Sequence, residues 1–170
     1  MRGVFINIVR FALLVILQAL VLSHIQFSGM VNPYPYILFV LLLPFSIHPV
    51  FLILLSAMMG MCIDFFSYTP GMHTSAMILL GFMRPRLLSF LSPHDGYEGL
   101  RVPGISTLGF VWFLKYAMLA TLIHHIMLFF VETFELYNIH ITILRIAFSS
   151  VFTVILLLIA EYLSTGRKKV

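Results

Sequence analysis

Long apolar runs, each closed by a short cluster of turn formers, set the pattern of this chain. Positions 11–17 and 155–159 are apolar on every side. A membrane-barrel strand would instead alternate apolar and polar residues. Continuous runs of this kind predict helices. The pattern predicts six membrane spans, at about 4–25, 36–46, 49–66, 72–91, 108–131 and 141–163, in one transmembrane domain. Two of them are irregular. The second is short for a hydrocarbon core that needs roughly 20 apolar residues per helix, and Pro44 interrupts it. The fourth reaches Arg84-Pro85-Arg86 after about a dozen residues, so positions 87–91 either continue it beyond a proline kink or lie at the interface. Four spans is the alternative, if the second piece is re-entrant and another is misread.

The links are short. Gly29, Asn32, Pro33 and Pro35 break the chain over positions 26–35. In the turn at 67–73, Pro70 presets the backbone and Gly71 supplies the positive φ of a type II turn. Positions 92–106 form the one substantial polar loop, with Pro93, His94, Asp95, Gly96, Glu98, Gly99, Arg101, Pro103 and Gly104. This loop is the soluble contact surface that the pattern favours. A further short link covers 132–140.

Composition strengthens the membrane reading. Of 170 residues, 61% are hydrophobic and only 9% charged, against roughly 25% charged in soluble domains. In lipid the backbone must satisfy its own hydrogen bonds, which selects helices. Six spans leave no room for a soluble catalytic domain, and we expect no enzyme, cofactor or metal site. A pI of 9.5 could suggest nucleic acid. The basic residues, however, stand singly or in the tail Arg167, Lys168, Lys169, which topology explains better. Arg2, the Arg84/Arg86/Arg101 loop and that tail place both termini in the cytoplasm by the positive-inside rule, since the opposite links lack Lys and Arg. The N-terminal run, which no small-residue cleavage site follows, reads as a retained first helix. The lone Cys62 forms no internal disulfide.

Polar residues within the spans are few and costly. Ser56, Gly60 and Asp64 share one helix face, two small residues followed by a carboxylate. Arg145, Ser149 and Thr153 make a similar stripe on the last span. One reading pairs Asp64 with Arg145 across helices; another lets each snorkel to the external surface; a third makes Asp64 a proton relay. His124 and His125 point about 100° apart and so cannot ligate one metal as an i, i+4 pair could. Interhelical hydrogen bonding is the favoured role, and His125 shares a face with Glu132. Lys115 and Glu161 either pair or snorkel. Tyr34, Tyr36, Tyr97, Trp112, Tyr137 and Tyr162 read as interfacial anchors.

Several segments together resemble one family: Gly60-Met61-Cys62-Ile63-Asp64-Phe65-Phe66, Thr69-Pro70-Gly71-Met72-His73-Thr74 and Gly81-Phe82-Met83-Arg84-Pro85. Asn32-Pro33-Tyr34-Pro35-Tyr36 ahead of Leu41-Leu42-Leu43-Pro44, the His124-His125 pair, and Phe152-Thr153 with Glu161-Tyr162-Leu163 extend the likeness over nearly the whole chain. They resemble the rod shape-determining protein MreD family. Pro70-Gly71-Met72-His73 stands where the wider family commonly has Pro-Leu-Gly, a form that looks like the Bacteroidota branch. The resemblance implies a non-catalytic subunit of the bacterial inner membrane. It would work in cell elongation with MreC, the RodA glycosyltransferase and its class B penicillin-binding transpeptidase, and indirectly with MreB. The family is also similar in fold to the substrate-binding subunits of energy-coupling-factor transporters.

Two functions follow. The first is a scaffold whose partner helices pack on small-residue grooves, with 32–36 and 67–73 meeting periplasmic parts of MreC. The rival is a transporter subunit holding a small molecule, to which short proline-interrupted spans point. A small-molecule site needs convergent polar groups, and Asn7, Gln18, Thr74, Ser75, Thr121 and His124 are dispersed along the chain.

Overall fold

The computed structural model describes residues 2–24, 31–133 and 139–166. The tail Arg167–Lys169, Tyr137 and the Gly29 end of the first link lie outside them. The described residues are helical apart from turns and loops. They form α1 (Arg2–Leu20), α2 (Leu38–Leu41), α3 (Pro49–Ser67), α4 (Met72–Phe90), α5 (Ile105–Leu108), α6 (Phe110–Thr133) and α7 (Ile139–Gly166). Four of these helices, α1, α3, α6 and α7, are long and apolar enough to cross a membrane, and the protein is a membrane protein of helical class. Their outer faces carry large exposed apolar side chains such as Phe5, Leu13, Phe51, Phe65, Val111 and Val151, which only hydrocarbon would solvate favourably.

The predicted span at 36–46 takes a different form. A single 3-10 turn at Pro35–Ile37 leads into the four-residue α2, a length far short of a bilayer core at 1.5 Å per residue. Every residue from Tyr36 to Leu43 is buried, so this segment is the centre of the bundle. It runs antiparallel to α1. Gln18 Nε2 donates to the Pro33 carbonyl at 3.2 Å, and Arg10 Nη1 donates to the Leu42 carbonyl at 3.5 Å. Two turns of α1 thus separate the contacts made by its two ends.

Of the two courses open to positions 87–91, the chain takes the first and continues the helix past the proline. The helix continues from Met72 to Phe90 with Pro85 inside it. Arg84 lies in this helix at 2% exposure, contrary to its expected place in a basic loop. Its guanidinium donates to Tyr116 Oη at 3.0 Å and to the carbonyls of Leu41 and Leu43. A helix end leaves its last carbonyls unpaired and partly negative. Arg84 supplies donors and charge to that end of α2, leaving Arg86 and Arg101 as exposed basic residues of the region.

Small residues decide how closely α3 and α4 approach. A methyl group at Gly60 would come within 2.7 Å of the His73 carbonyl, and one at Gly81 within 2.5 Å of Ser56 Oγ. The neighbour that the Ser56/Gly60/Asp64 stripe admits is therefore the next helix in sequence.

At the opposite end the polar loop folds back on the bundle. Phe45 stacks on Tyr97 with centroids 4.6 Å apart, the Phe45 N–H donates to the Arg101 carbonyl, and Trp112 Nε1 donates to the Leu91 carbonyl at 2.7 Å. Partial burial pushes the Tyr97 phenol pKa upward. Gly104 packs on Glu161, whose Oε1 would stand 2.6 Å from an added methyl group. Glu161 is buried, whereas Lys115 is exposed, as a snorkelling lysine would be.

Candidate functional site

Asp64 organises the turn between α3 and α4. The chain leaves α3 through Tyr68, whose φ of 56° and ψ of 38° are left-handed, a conformation uncommon for a bulky residue. Pro70 and Gly71 then make the expected turn. Gly71 has φ 84° and ψ −9°, the values of the third position of a type II turn, and the Met72 N–H closes it on the Thr69 carbonyl.

Five donors converge on the Asp64 carboxylate. Thr69 Oγ1 lies at 3.0 Å, the Gly71 N–H at 3.1 Å, the His73 and Thr74 N–H groups at 2.9 Å each, and Thr74 Oγ1 at 2.6 Å. The carboxylate thereby caps the first turn of α4, the end where orphan amides and the helix dipole favour negative charge. Its charge is compensated by those amides and hydroxyls.

The Asp64–Arg145 pair of one reading does not form. Arg145 Nη2 bonds Glu132 Oε1 at 2.8 Å, joining α7 to α6, and the guanidinium lies 4.7 Å from the Phe129 ring centroid. The physical reason is proximity along the chain: the turn at 68–74 brings donors back to Asp64 within ten residues. Ser149 and Thr153, on the Arg145 stripe, serve the segment leading into α2. Ser149 Oγ accepts from the Asn32 N–H and Thr153 Oγ1 from the Tyr34 N–H, both at 3.1 Å.

A second polar cluster lies beneath this turn. Tyr36 Oη is 2.8 Å from His73 Nδ1 and 2.7 Å from His124 Nε2. His124 Nδ1 faces His125 Nδ1 at 3.4 Å, and His125 Nε2 faces Thr153 Oγ1 at 3.2 Å. A phenol has one proton, so Tyr36 donates to one imidazole and accepts from the other. One consistent arrangement keeps all three rings neutral. Thr153 donates to His125, His125 to His124, His124 to Tyr36, and Tyr36 to His73, while the Thr153 oxygen accepts the Tyr34 N–H. Each link then joins one donor to one acceptor, as a buried network requires. The histidines thus make the interhelical bonds expected of them. Among the described residues no group of three His, Cys, Asp or Glu is placed to hold a metal ion.

Tyr36 is fully buried, although its position near a span end suggested an interfacial anchor. The alternating Pro33-Tyr34-Pro35-Tyr36 signal marked a turn and gave no sign that the ring points inward. Tyr116, also fully buried, and Arg84 are further interior polar residues. Tyr36→Phe should lower stability by roughly 2 kcal/mol, because His73 and His124 would face each other across an apolar ring with unpaired nitrogens. Thermal unfolding in detergent, beside the exposed Tyr162→Phe, checks this.

The polar residues dispersed in sequence mostly serve the chain itself. Asn7 accepts from Arg10, Thr74 holds Asp64, and His124 holds Tyr36. Gln18 lines a cavity of about 410 Å³ with Asn32, Tyr34, Tyr68, His73 and Glu132 among its walls, while Thr74 and Asn7 line two others. Across the same turn Phe65, Phe66 and Tyr68 project outward at 77%, 52% and 92% exposure. This aromatic group crowns a turn that is rigidly braced from below. Comparison with protein-family models, with curated proteins and with solved structures finds no match.

Proposed function

We propose that this chain is a non-catalytic scaffold of the bacterial cell-elongation machinery, a multi-pass protein of the inner membrane that docks partners through the Asp64-braced turn. The observation that carries this reading is Tyr68. A nearly fully exposed aromatic, left-handed and fixed by a five-bond carboxylate brace, presents a rigid apolar surface at low entropic cost, and tyrosine is enriched among interface residues that dominate binding. The segments that resemble the MreD family supply the brace itself: Gly60, Asp64, Pro70, Gly71, His73 and Thr74.

In this reading the chain passes six times between the membrane faces, with both termini cytoplasmic. The segment around α2 is the second pass, supported by its contacts with Gln18 at one level and Arg10 at the other. α4 is the fourth; its 19 residues extend about 28 Å, close to a hydrocarbon core. Exposed Arg86 and Arg101 mark the cytoplasmic end, and the α3–α4 turn faces the periplasm. The partner met there is the bitopic protein MreC, with RodA and the class B transpeptidase in the same assembly and MreB reached indirectly. No cofactor or nucleic acid enters this function.

Tyr68→Ala should reduce co-purification of MreC by about tenfold or more, the effect of losing one dominant interface residue, while thermal unfolding stays unchanged. Undiminished MreC recovery with this variant would refute docking through the turn.

A further inference from the structure

An open groove of about 460 Å³ lies between the start of α3 and the end of α4. The two helices run antiparallel, with Gly60 packed on the backbone of His73 and Thr74 and Gly81 packed on Ser56, so the first turns of α3 stand beside the last turns of α4. Pro49, Leu52 and Ile53 line one wall, and Gly81, Phe82 and Pro85 line the other. Helix α3 is long and apolar enough to cross a membrane. The groove opens beside its first residues, where a spanning helix passes from hydrocarbon to headgroups.

One charged side chain lines this apolar surface. Arg86 is exposed, and its guanidinium carbon lies 4.4 Å from the Phe82 ring centroid. That contact consumes no hydrogen bond, so the N–H fork stays free for a bidentate acceptor such as phosphate. Among the described residues no carboxylate pairs with Arg86. Ser89, three residues on and therefore on the same helix face, adds an exposed hydroxyl to the groove. No Asp or Glu is among the lining residues, so nothing there would compensate an ammonium group brought beside the guanidinium. Apolar walls with a cation at the headgroup level and no anion suit a lipid of net negative charge over a zwitterionic one.

We infer that the groove is a site for an anionic phospholipid, whose phosphate accepts from Arg86 and Ser89 while an acyl chain lies against Leu52, Ile53 and Phe82. The inference needs only a membrane-embedded chain. It is independent of partner docking, which uses the opposite ends of α3 and α4.

The test is native mass spectrometry of the full chain released from nanodiscs that hold equal amounts of phosphatidylglycerol and phosphatidylethanolamine with the same acyl chains. The chain should retain phosphatidylglycerol about fivefold more often, a preference of about 1 kcal/mol. Arg86→Gln should bring the ratio to about one, while Lys115→Gln, which removes an exposed cation outside the groove, should leave it unchanged. Ile53→Trp should lower retention of both lipids by filling the groove without altering charge. Thermal unfolding close to wild type establishes that each variant is folded. Equal retention of the two lipids by the wild type, an undiminished preference in Arg86→Gln, or the same loss in Lys115→Gln would overturn the inference. So would a dimer that takes the place of lipid and that Ile53→Trp dissociates.

Discussion

Asp64→Ala should cost roughly 4 kcal/mol of stability, the largest loss expected from any single side chain here. Hydrogen bonds to a charged acceptor contribute about 1.5–3 kcal/mol each and do not add fully. Removing the carboxylate leaves the Gly71, His73 and Thr74 amides and two threonine hydroxyls without their acceptor. Asp64→Asn should lose roughly 3 kcal/mol, since its amide nitrogen would confront N–H donors in place of accepting from them. The exchange of Asp64→Arg with Arg145→Asp should restore nothing, because Arg145 belongs to Glu132. Thermal unfolding of the purified variants in detergent measures all three. Wild-type stability in Asp64→Ala, or rescue by the exchanged pair, would show that the brace is not what holds this turn.

Arg84→Met should cost roughly 3 kcal/mol, the second largest loss. Methionine keeps much of the apolar stem but has no donor for the Leu41 and Leu43 carbonyls, and Tyr116 loses the contact at 3.0 Å. The loss stays below that at Asp64 for two reasons. Removing a buried charge recovers part of its desolvation cost, and Tyr116 Oη still reaches the Leu41 carbonyl at 3.3 Å. Arg84→Lys should recover only part of the loss, since one ammonium cannot replace a planar fork serving several oxygens. Hydrogen exchange at the amides of α2 provides the local readout, with protection falling first there. Unchanged exchange at α2 in Arg84→Met would place the role of this arginine elsewhere.

These expectations differ in how much of them the amino-acid order disclosed. The long apolar helices were legible because lipid leaves helical periodicity and length as the main constraints. Spans expected at 49–66, 108–131 and 141–163 correspond within a few residues to α3, α6 and α7, which are long and apolar enough to cross a membrane, and the segment 72–91 corresponds to the helix α4. The turn was legible for a local reason, since Pro70 and Gly71 carry their backbone preferences with them. The α2 segment was not. Its apolar run looks the same whether its partners are lipid or other helices, and only the tertiary fold shows Tyr36 through Leu43 enclosed on every side.

The polar contacts divide along the same line. Small residues at Ser56 and Gly60 announced a close neighbour, and α4 fills that place. The partner of Asp64 depended on a chain reversal that folds donors back onto it, so matching charges by depth offered Arg145 only as one candidate. Arg84 was misplaced because an Arg-Pro-Arg sequence reads as the end of a helix. Pro85 is instead accommodated within α4, and the preceding arginine turns inward to the end of α2. Tyr36 and the three histidines converge from the turn before α2, from α4 and from α6, a meeting that spacing along one chain does not encode.

Docking through the braced turn is tested most directly by placing a photoreactive phenylalanine analogue at position 68 in growing cells and identifying what it captures. The account predicts an adduct with MreC that appears on illumination and is lost when the probe is moved to the lipid-facing position Val151. Capture of lipid alone at position 68, with MreC present and the protein folded, would contradict it.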